Sequence, residues 1–292
     1  GLTGPAKLYV AAAVSLSLSK PVTYITSDLK RAEAASTDLS FFLGRDVRVL
    51  RKREVQRKTG LFTSSSQSFA DRAGWLSAAT DGRTLVAEAG ALLERLVPVR
   101  IFEESKIGIR TGDILLREEL IERLAACGYR KTDFVEREGE ISVRGSIVDV
   151  FIPGRADAAR IEFLGDEIGS IRLFDTGNQK SKNKISDILI PPASEIILRS
   201  GEISRAVQYL KKKAEEIGVT ARKKAALISE IGKGERIRNI EWLTPALYED
   251  TSSVLDYLPA EAVLILDESE DVSEALSAAE NDCGDFEKSL SR

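Results

Sequence analysis

The first eight residues of the chain have types and a spacing that could hold a phosphate group. They read GLTGPAKL. In a phosphate-binding P-loop, G-x-x-x-x-G-K-[ST], the second glycine lets backbone amides wrap the phosphate, the lysine reaches the outer phosphates, and the hydroxyl binds magnesium. Gly1 and Lys7 fit this pattern. However, Ala6 replaces the second glycine, Leu8 replaces the hydroxyl, and Pro5 lacks an amide donor.

A pair of carboxylates near the end of the chain could complete such a site. Asp267 and Glu268 follow an apolar run, as in a Walker B element. Without a hydroxyl at position 8, the magnesium would lack its ligand from the loop. We therefore expect a degenerate loop with Gly4 at its turn, no cofactor, and no competent ATPase. Lys7 and the two carboxylates would then be solvated or paired locally.

Two strand-like runs in the middle of the chain, 138–151 and 160–167, carry arginine on one face. Side chains alternate along a strand, so Arg160, Glu162 and Leu164 share one face. The isoleucine and phenylalanine between them take the other face and suit a core. A sheet needs only its inner face to fold, so ordered charge on the outer face predicts a docking surface rather than a catalytic pocket.

Other arginines extend this predicted surface. Arg144 lies on the neighbouring run, just before Gly145, where a bulge is possible. Arg172 and Phe174 follow on a later run. The alternative is that the arginines only make an outer sheet face soluble, or pair with nearby carboxylates.

Composition narrows the class of protein. The 292 residues suit two or three domains, and 43% hydrophobic with 30% charged residues is typical of soluble globular proteins. A net charge of −4 argues against a dedicated nucleic-acid binder. Histidine, the commonest general base and zinc ligand, is absent. The two cysteines, far apart, favour a reduced cytoplasm, and no apolar run reaches the roughly 20 residues of a membrane span.

The order of elements predicts an α/β fold with an insertion. A glycine turn, a helix over 6–18, a strand over 21–26 and a helix over 28–42 are typical of a parallel sheet. The apolar strand 262–266 resembles this first segment. We therefore expect a P-loop-like parallel-sheet domain built from two flanking segments, with an inserted smaller α+β domain.

The inserted domain is predicted from short runs separated by turn signals. A helix over 115–126 precedes strand-like runs at 129–136, 141–151, 160–164 and 169–174, as in an antiparallel or mixed sheet.

The predicted domain boundaries are 1–103, 104–193 and 194–292. The last segment contains a predicted helix over 201–231. Its basic clusters at 211–213 and 222–224 could contact DNA phosphate, but neighbouring glutamates favour a solvated helix face.

These residues resemble a known family, the bacterial transcription-repair coupling factors. The start of the chain looks like their degenerate P-loop. The run 139–151 resembles the second domain that this family shares with the excision-repair protein UvrB, and 160–163 with 171–175 continue the match. Residues 241–259 are similar to the family's returning first-domain segment. The match indicates the amino-terminal UvrB-homology region, ending before any motor domain.

Two departures separate the chain from UvrB itself. UvrB has an intact P-loop, which Ala6 and Leu8 break, and a tyrosine-rich hairpin, whereas residues 45–68 contain no tyrosine. A UvrB-like, nucleotide-dependent protein that verifies DNA damage remains the alternative, and it requires ATP affinity in the micromolar range.

The resemblance implies a docking site for the damage sensor UvrA. Matched to the family motifs, Arg144 and Arg160 fall on UvrA-contacting arginines, with Glu162 nearby and Arg172 at the margin. Leu164 stands where relatives commonly carry phenylalanine. We expect alanine at Arg144 or Arg160 to lower UvrA affinity at least about tenfold and to leave the melting temperature nearly unchanged.

The resemblance also implies a role in transcription-coupled excision repair. The module would recruit UvrA to stalled RNA polymerase without catalysis or metal. The carboxy-terminal domain of the full-length protein would mask the surface at rest. RNA polymerase, DNA and ATP would be bound only by domains outside this chain, and the membrane would not be a partner.

Overall fold

The computed structural model describes residues 2–53, 68–197, 200–216, 220, 225, 229 and 244–290. It is a mixed α/β structure. The helices are α1 (Pro5–Leu18), α2 (Leu29–Leu43), α3 (Phe69–Thr80), α4 (Val99–Glu104), α5 (Arg117–Ala126), α6 (Ser200–Glu216), α7 (Thr244–Leu247) and α8 (Ser269–Leu290). Short 3₁₀ helices span Ala89–Leu93 and Leu255–Tyr257. Among the described residues, no helix has the length and apolar character to cross a membrane.

Within the described part of the chain, the strands form three sheets. They are β1 (Val22–Thr26), β2 (Val49–Leu50), β3 (Leu85–Glu88), β4 (Ile107–Arg110), β5 (Arg130–Lys131), β6 (Glu140–Arg144), β7 (Ile147–Phe151), β8 (Ala158–Leu164), β9 (Glu167–Phe174), β10 (Ser181–Ile185), β11 (Asp187–Ile190) and β12 (Val263–Leu266).

The first of two compact units comprises residues 1–67, 75–95 and 252–292. Its sheet has the strand order β12-β1-β3-β2, and β1 pairs in parallel with both β12 and β3. All five residues of β1 are buried, as expected for a parallel strand covered on both faces. The returning strand β12 therefore belongs to the sheet that the first segment begins. The boundaries at 103 and 193 stay a prediction.

Local sequence explains how the helices of this unit begin. Gly4 precedes α1 with a φ of +56°, which glycine adopts without a steric penalty. Pro5 follows at the first helical position, where its missing N–H is not needed. Asp28 caps α2 by accepting a hydrogen bond from the N–H of Arg31 at 2.9 Å. These starts orient α1 and α2 so that their buried faces share one core.

The second unit comprises residues 68–74 and 96–251. Its main sheet has the order β10-β9-β8-β7-β6-β5 and is antiparallel from β6 to β10, with β5 added in parallel. A separate antiparallel pair joins β4 and β11. One face of the main sheet packs against α5. The buried residues of that core include Leu120, Leu124, Ile141, Val148, Val150, Ile161, Phe163, Ile168 and Ile171.

The run predicted over 141–151 is two strands. Arg144 pairs with Ile147, so Gly145 and Ser146 alone form the turn. Gly145 has a φ of +58°, as the first central position of a type II′ turn requires. The turn reverses the chain and brings β7 beside β6, so a bulge at Gly145 is not present.

The bulge of this sheet lies between β8 and β9 instead. Glu162 pairs with Ser170 and Phe163 pairs with Ile168, which leaves Gly169 as the extra residue. A Cβ on Gly169 would lie 2.6 Å from the Cγ of Leu164, so a larger residue there would displace the Leu164 side chain.

Another predicted element is shorter than expected. Within 129–136 only Arg130–Lys131 is a strand. Most of the predicted helix beyond Glu216 lies outside the described residues, as do 240–243. β10, which the sequence did not predict, forms an edge of the main sheet with its lysines exposed.

Candidate docking surface

The outer face of the main sheet carries the charged side chains that the sequence predicted. Asp149 pairs across strands with Arg160, and Arg160 pairs with Arg172. Arg144 and Glu162 belong to the adjacent row of the same face, because period two places them beside these residues. We call Arg144, Asp149, Arg160, Glu162 and Arg172 the charged face. Ile161 and Phe163 are buried on the opposite side, as predicted.

Asp149 is the centre of the charged face. Its Oδ1 accepts a hydrogen bond from Nε of Arg160 at 2.7 Å, and its Oδ2 accepts from Nη2 of Arg160 at 2.9 Å. The same Oδ2 accepts from Nη2 of Arg144 at 2.6 Å. The Asp149 side chain is 1% exposed, that of Arg160 is 21% exposed, and that of Arg144 is 42% exposed. One buried carboxylate thus holds two arginines that reach the surface.

Each of these arginines also lies on an aromatic ring. The guanidinium carbon of Arg160 is 4.4 Å from the ring centre of Phe174, and that of Arg144 is 5.0 Å from the ring centre of Phe134. Such cation–π contacts stabilise a guanidinium in a fixed plane. Phe174 is buried with Val135 in a small apolar cluster, whereas Phe134 is exposed.

The expected effect of alanine on stability must be revised in view of these contacts. Removing Arg160 would leave the buried carboxylate of Asp149 with a single partner, and such a loss is costly. The hydrogen bonds to Asp149 also raise the pKa of the Arg160 guanidinium. The two arginines thus both present donors outward and stabilise the sheet.

A second buried carboxylate fixes the loop that carries Phe134. Glu140 accepts hydrogen bonds from the N–H groups of Glu136 and Arg137 at 2.8 and 3.0 Å, and it contacts Arg130. Burial alone would raise the pKa of Glu140, but these N–H groups and the guanidinium of Arg130 outweigh it and lower the pKa. The charged form of Glu140 is therefore the one that the fold holds.

The far side of the charged face is more open. Nη2 of Arg172 lies 3.8 Å from Oε2 of Glu162, and both side chains are exposed. The hydroxyl of Ser170 donates to the same oxygen at 3.0 Å. On the outer strand, Lys184 pairs with Arg172 across β9 and β10, which adds a cation to the row.

An exposed apolar corner adjoins the charged face. Leu164 is 66% exposed, and its strand partner is Glu167. Glu167 also forms an antiparallel bridge with Ile114, which is 76% exposed. Directly paired residues project on the same face, so Ile114 and Leu164 share the outer side. The sequence prediction included Leu164 but not Ile114, which precedes a helix and gave no strand signal.

Sequence reasoning also missed Asp149 and Phe134. Asp149 had a visible signal, since it stands alone between two valines in an apolar run. Phe134 lies in a loop and gave no signal, because only the fold brings its ring to Arg144.

The charged residues that were predicted to form a degenerate phosphate site are paired with one another. Nζ of Lys7 donates to Oδ1 of Asp267 at 2.9 Å and also contacts Glu268. The hydrogen bond to Glu268 is the main cause of the raised pKa of Lys7. Leu8 is buried in the core of the first unit, and Ala6 is exposed. Gly1 lies outside the described residues.

The basic clusters of the last segment are only partly described. Lys211, Lys212 and Lys213 are exposed on α6, and Nζ of Lys213 donates to Oε2 of Glu216 at 2.7 Å. Residues 222–224 lie outside the described residues, so contact of these clusters with DNA stays a prediction.

Known proteins resemble both the middle domain and the whole chain. Residues 107–196 match the family model of the UvrB interaction domain, a range that includes the charged face, Ile114 and Leu164. Over 92% of the chain, the transcription-repair-coupling factors of Bacillus subtilis and Myxococcus xanthus are each 29% identical. That of Haemophilus influenzae is 31% identical over 60% of the chain and 15% of its own length.

The chain spans about a quarter of the length of the first two relatives, which it covers by 24% each. The resemblance found in the sequence is thereby confirmed. Residues 107–196 thus resemble a UvrB interaction domain, and 92% of the chain is similar to about a quarter of the length of each of the first two transcription-repair-coupling factors.

Proposed function

We propose that this chain is a non-catalytic module of transcription-coupled excision repair that binds UvrA through its charged face. The UvrB interaction domain and the relatives named as transcription-repair-coupling factors support the class of function. The choice of partner rests on the match of Arg144 and Arg160 to the arginines by which this family contacts UvrA.

The observation that carries the proposal is the arrangement of the two arginines on Asp149. Each guanidinium has five N–H donors, and Arg160 directs Nε and Nη2 to Asp149, while Arg144 directs Nη2 there. Among the described residues, the Nη1 groups of both have no hydrogen-bond partner in the fold. They can therefore donate to a second protein without breaking a bond that exists already.

The charge of the face indicates the chemistry of the partner. The charged face has three arginines and two carboxylates, an excess of one positive charge. Lys184 adds one positive charge, and Glu167, beside Leu164 on the same side, removes one. The partner surface should accordingly carry carboxylates, which arginine can bind with two parallel hydrogen bonds. Leu164 and Ile114 would border these ion pairs with an apolar contact that excludes water.

The first unit would serve as a P-loop-like scaffold without nucleotide chemistry. Lys7, the residue that would reach the phosphates, is paired with Asp267 and Glu268. These carboxylates would repel an incoming phosphate, and Leu8 offers no hydroxyl for magnesium. This pairing supports a module that neither binds nor hydrolyses ATP.

In a longer protein of this family, the module would link two processes in the cytoplasm. It would recruit UvrA to stalled RNA polymerase, while other domains bind the polymerase and DNA and use ATP. A carboxy-terminal domain would cover the charged face at rest.

Calorimetric titration of the chain against purified UvrA tests the proposal. Saturable binding that weakens at least about tenfold in Arg144→Ala and Arg160→Ala supports it. Arg110→Ala, at an exposed arginine of β4 on another sheet, is the matched control and should bind within about twofold of the parent. Unaltered binding of both docking variants would overturn the proposal. Micromolar binding of ATP with magnesium would instead favour a UvrB-like, nucleotide-dependent protein.

A further inference from the structure

Asp149 is a carboxylate that the fold holds in a buried place. It is 1% exposed, and both of its oxygens accept hydrogen bonds from guanidinium groups. Its neighbours in β7, Val148 and Val150, lie in the apolar core on the other face of the sheet. A buried charge is costly unless it is fully paired, and well-packed apolar residues often replace such pairs without loss of stability. Stability alone is therefore a weak explanation for an aspartate here.

The position of Asp149 in the strand register explains what it can do. Arg160 is its direct partner on β8, and Arg144 lies at the end of β6, next to the turn that begins β7. Asp149 is thus within reach of both arginines, which are 16 residues apart in the sequence. A single carboxylate sets the separation and the planes of two guanidinium groups.

An aromatic ring also helps to orient the guanidinium group of each arginine. The guanidinium of Arg160 has Asp149 at its Nε–Nη2 edge and Phe174 against its face. That of Arg144 has Asp149 at Nη2 and Phe134 against its face. An edge contact and a face contact together fix the orientation of a planar group. Free arginine side chains have many rotamers, and binding is weakened when these must be ordered.

We propose that Asp149 is the positioning residue of the docking surface. It holds Arg144 and Arg160 in the orientation that receives the partner's carboxylates, although its own buried oxygens cannot contact the partner. This inference rests on the proposed function. It adds to that function a residue through which recognition is organised from inside the sheet.

The test compares Asp149→Asn with Asp157→Asn. Both variants exchange a carboxylate for an amide in the same unit, but Asp157 pairs with Lys182, at 2.6 Å, and not with the docking arginines. In titrations with UvrA, Asp149→Asn should bind about tenfold more weakly and Asp157→Asn within about twofold of the parent. Arg160→Lys keeps both the positive charge and Asp149 but loses the fork and the stacked plane, so it should also bind about tenfold more weakly.

A second readout needs no partner. In the parent, the Nε–H proton of Arg160 donates to Oδ1 of Asp149 and should exchange slowly with solvent in NMR spectra. In Asp149→Asn this exchange should be at least about tenfold faster, because the ion pair that fixes it is lost. A purely structural role for Asp149 would lower the melting temperature without changing the affinity of the folded protein.

The outcomes separate the two claims. If Asp149→Asn and Arg160→Lys both bind UvrA like the parent while Arg160→Ala does not, the positioning role is overturned and the proposed function stands. If Arg144→Ala and Arg160→Ala bind like the parent, the proposed function fails. In either case an Nε–H exchange rate that is the same in Asp149→Asn and the parent overturns the positioning role. Should Asp149→Asn not fold, Asp149→Glu decides: it keeps the carboxylate but displaces it by one methylene, and UvrA affinity equal to that of the parent would overturn the positioning role.

Discussion

Two clusters of charged side chains in this chain have opposite ratios of cation to carboxylate. In the first turn of α1, the single lysine Lys7 contacts two carboxylates, Asp267 and Glu268. On the charged face, the single carboxylate Asp149 is contacted by two arginines. The first cluster has surplus negative charge around a cation that is already paired. The second has surplus positive charge on arginine side chains that reach the surface.

This difference in the ratio of cation to carboxylate indicates where a charged partner can bind. A phosphate would have to displace two carboxylates from Lys7 and would meet their repulsion. An acidic protein surface can bind to Arg144 and Arg160 without displacing Asp149. The net charge of the whole chain, −4, indicates neither property. The ratio of cations to carboxylates within each cluster indicates whether a phosphate or an acidic protein surface can bind there.

Removal of Arg160 should have the largest effect. Arg160→Ala is expected to lower UvrA affinity about thirtyfold, the equivalent of about 2 kcal/mol for a central interface arginine. It should also lower the free energy of unfolding by about 2–3 kcal/mol, because Asp149 stays buried with one partner. Calorimetry and urea unfolding measure the two quantities.

Arg144→Ala separates the loss of UvrA affinity from the loss of stability. Arg144 supplies one of the three hydrogen bonds to Asp149, so its loss should affect UvrA affinity similarly but cost less stability. Equal losses of stability in the two variants would contradict the central role assigned to the Arg160–Asp149 pair.

A charge placed in the apolar corner should have the next largest effect. Leu164→Asp is expected to weaken UvrA binding about tenfold, since a carboxylate would repel an acidic partner and remove an apolar contact. Ile114→Asp should act in the same direction and less strongly. Leu189→Asp is the control, because Leu189 is also an exposed leucine, 48% accessible, but lies on β11. If Leu164→Asp and Ile114→Asp bind UvrA with the same affinity as the control Leu189→Asp, the apolar corner is not part of the interface.

The pH dependence of Glu140 gives a smaller effect. The pKa of Glu140 is lowered from its ordinary value of 4.5 in the folded state. Its contribution to stability is therefore present above about pH 4.5 and is lost as pH falls through the lowered value. Glu140→Gln should cost about 1–2 kcal/mol at neutral pH and should make unfolding less dependent on pH below 4.5. Urea unfolding curves at a series of pH values measure this. If the free energy of unfolding falls equally in the parent and in Glu140→Gln as the pH is lowered below 4.5, the prediction is contradicted.

The smallest effect is expected at the phosphate loop. Lys7→Ala should leave UvrA affinity within about twofold of the parent, and neither protein should bind ATP with magnesium at micromolar concentration. The pKa of Lys7 is raised, so its contribution to stability is present below pH 10.5 and is lost as pH rises through the raised value. Lys7→Ala should lack that alkaline component in thermal melts. If the parent binds ATP and Lys7→Ala does not, the pairing of Lys7 does not prevent nucleotide binding, and the contrast between the two clusters is wrong.

The sequence could predict which side chains of the sheet face outward, because period two is a property of the strand itself. It predicted Arg160, Glu162 and Leu164 on one face. It could not predict that Arg144 and Arg160 share Asp149, because that depends on the register between strands. The sequence allowed a bulge at Gly145, but the bulge lies at Gly169, because the positive φ of Gly145 serves the turn between β6 and β7.

More of the predicted phosphate loop than of the charged face could be predicted from the sequence. Its departures from the P-loop pattern, Ala6 and Leu8, are visible in the sequence itself. The pairing of Lys7 with Asp267 follows once β12 lies beside β1, because the end of β12 then reaches the start of α1. In the charged face, the contacts join residues from several strands and a loop, so no single run of sequence carries them.

The outermost strand β10 has a consequence for how copies of the module behave near one another. An unpaired strand edge can recruit another chain into the same sheet and start aggregation. β10 carries Lys182 and Lys184, and all of its residues except Ile185 are exposed. Lys182 is paired with Asp157 and Asp175, so Lys184 is the lysine that would oppose its own copy if two such edges met, which discourages growth of the sheet from molecule to molecule. Lys184 therefore lets the module display a rigid β-surface at high local concentration while remaining separate from its neighbours.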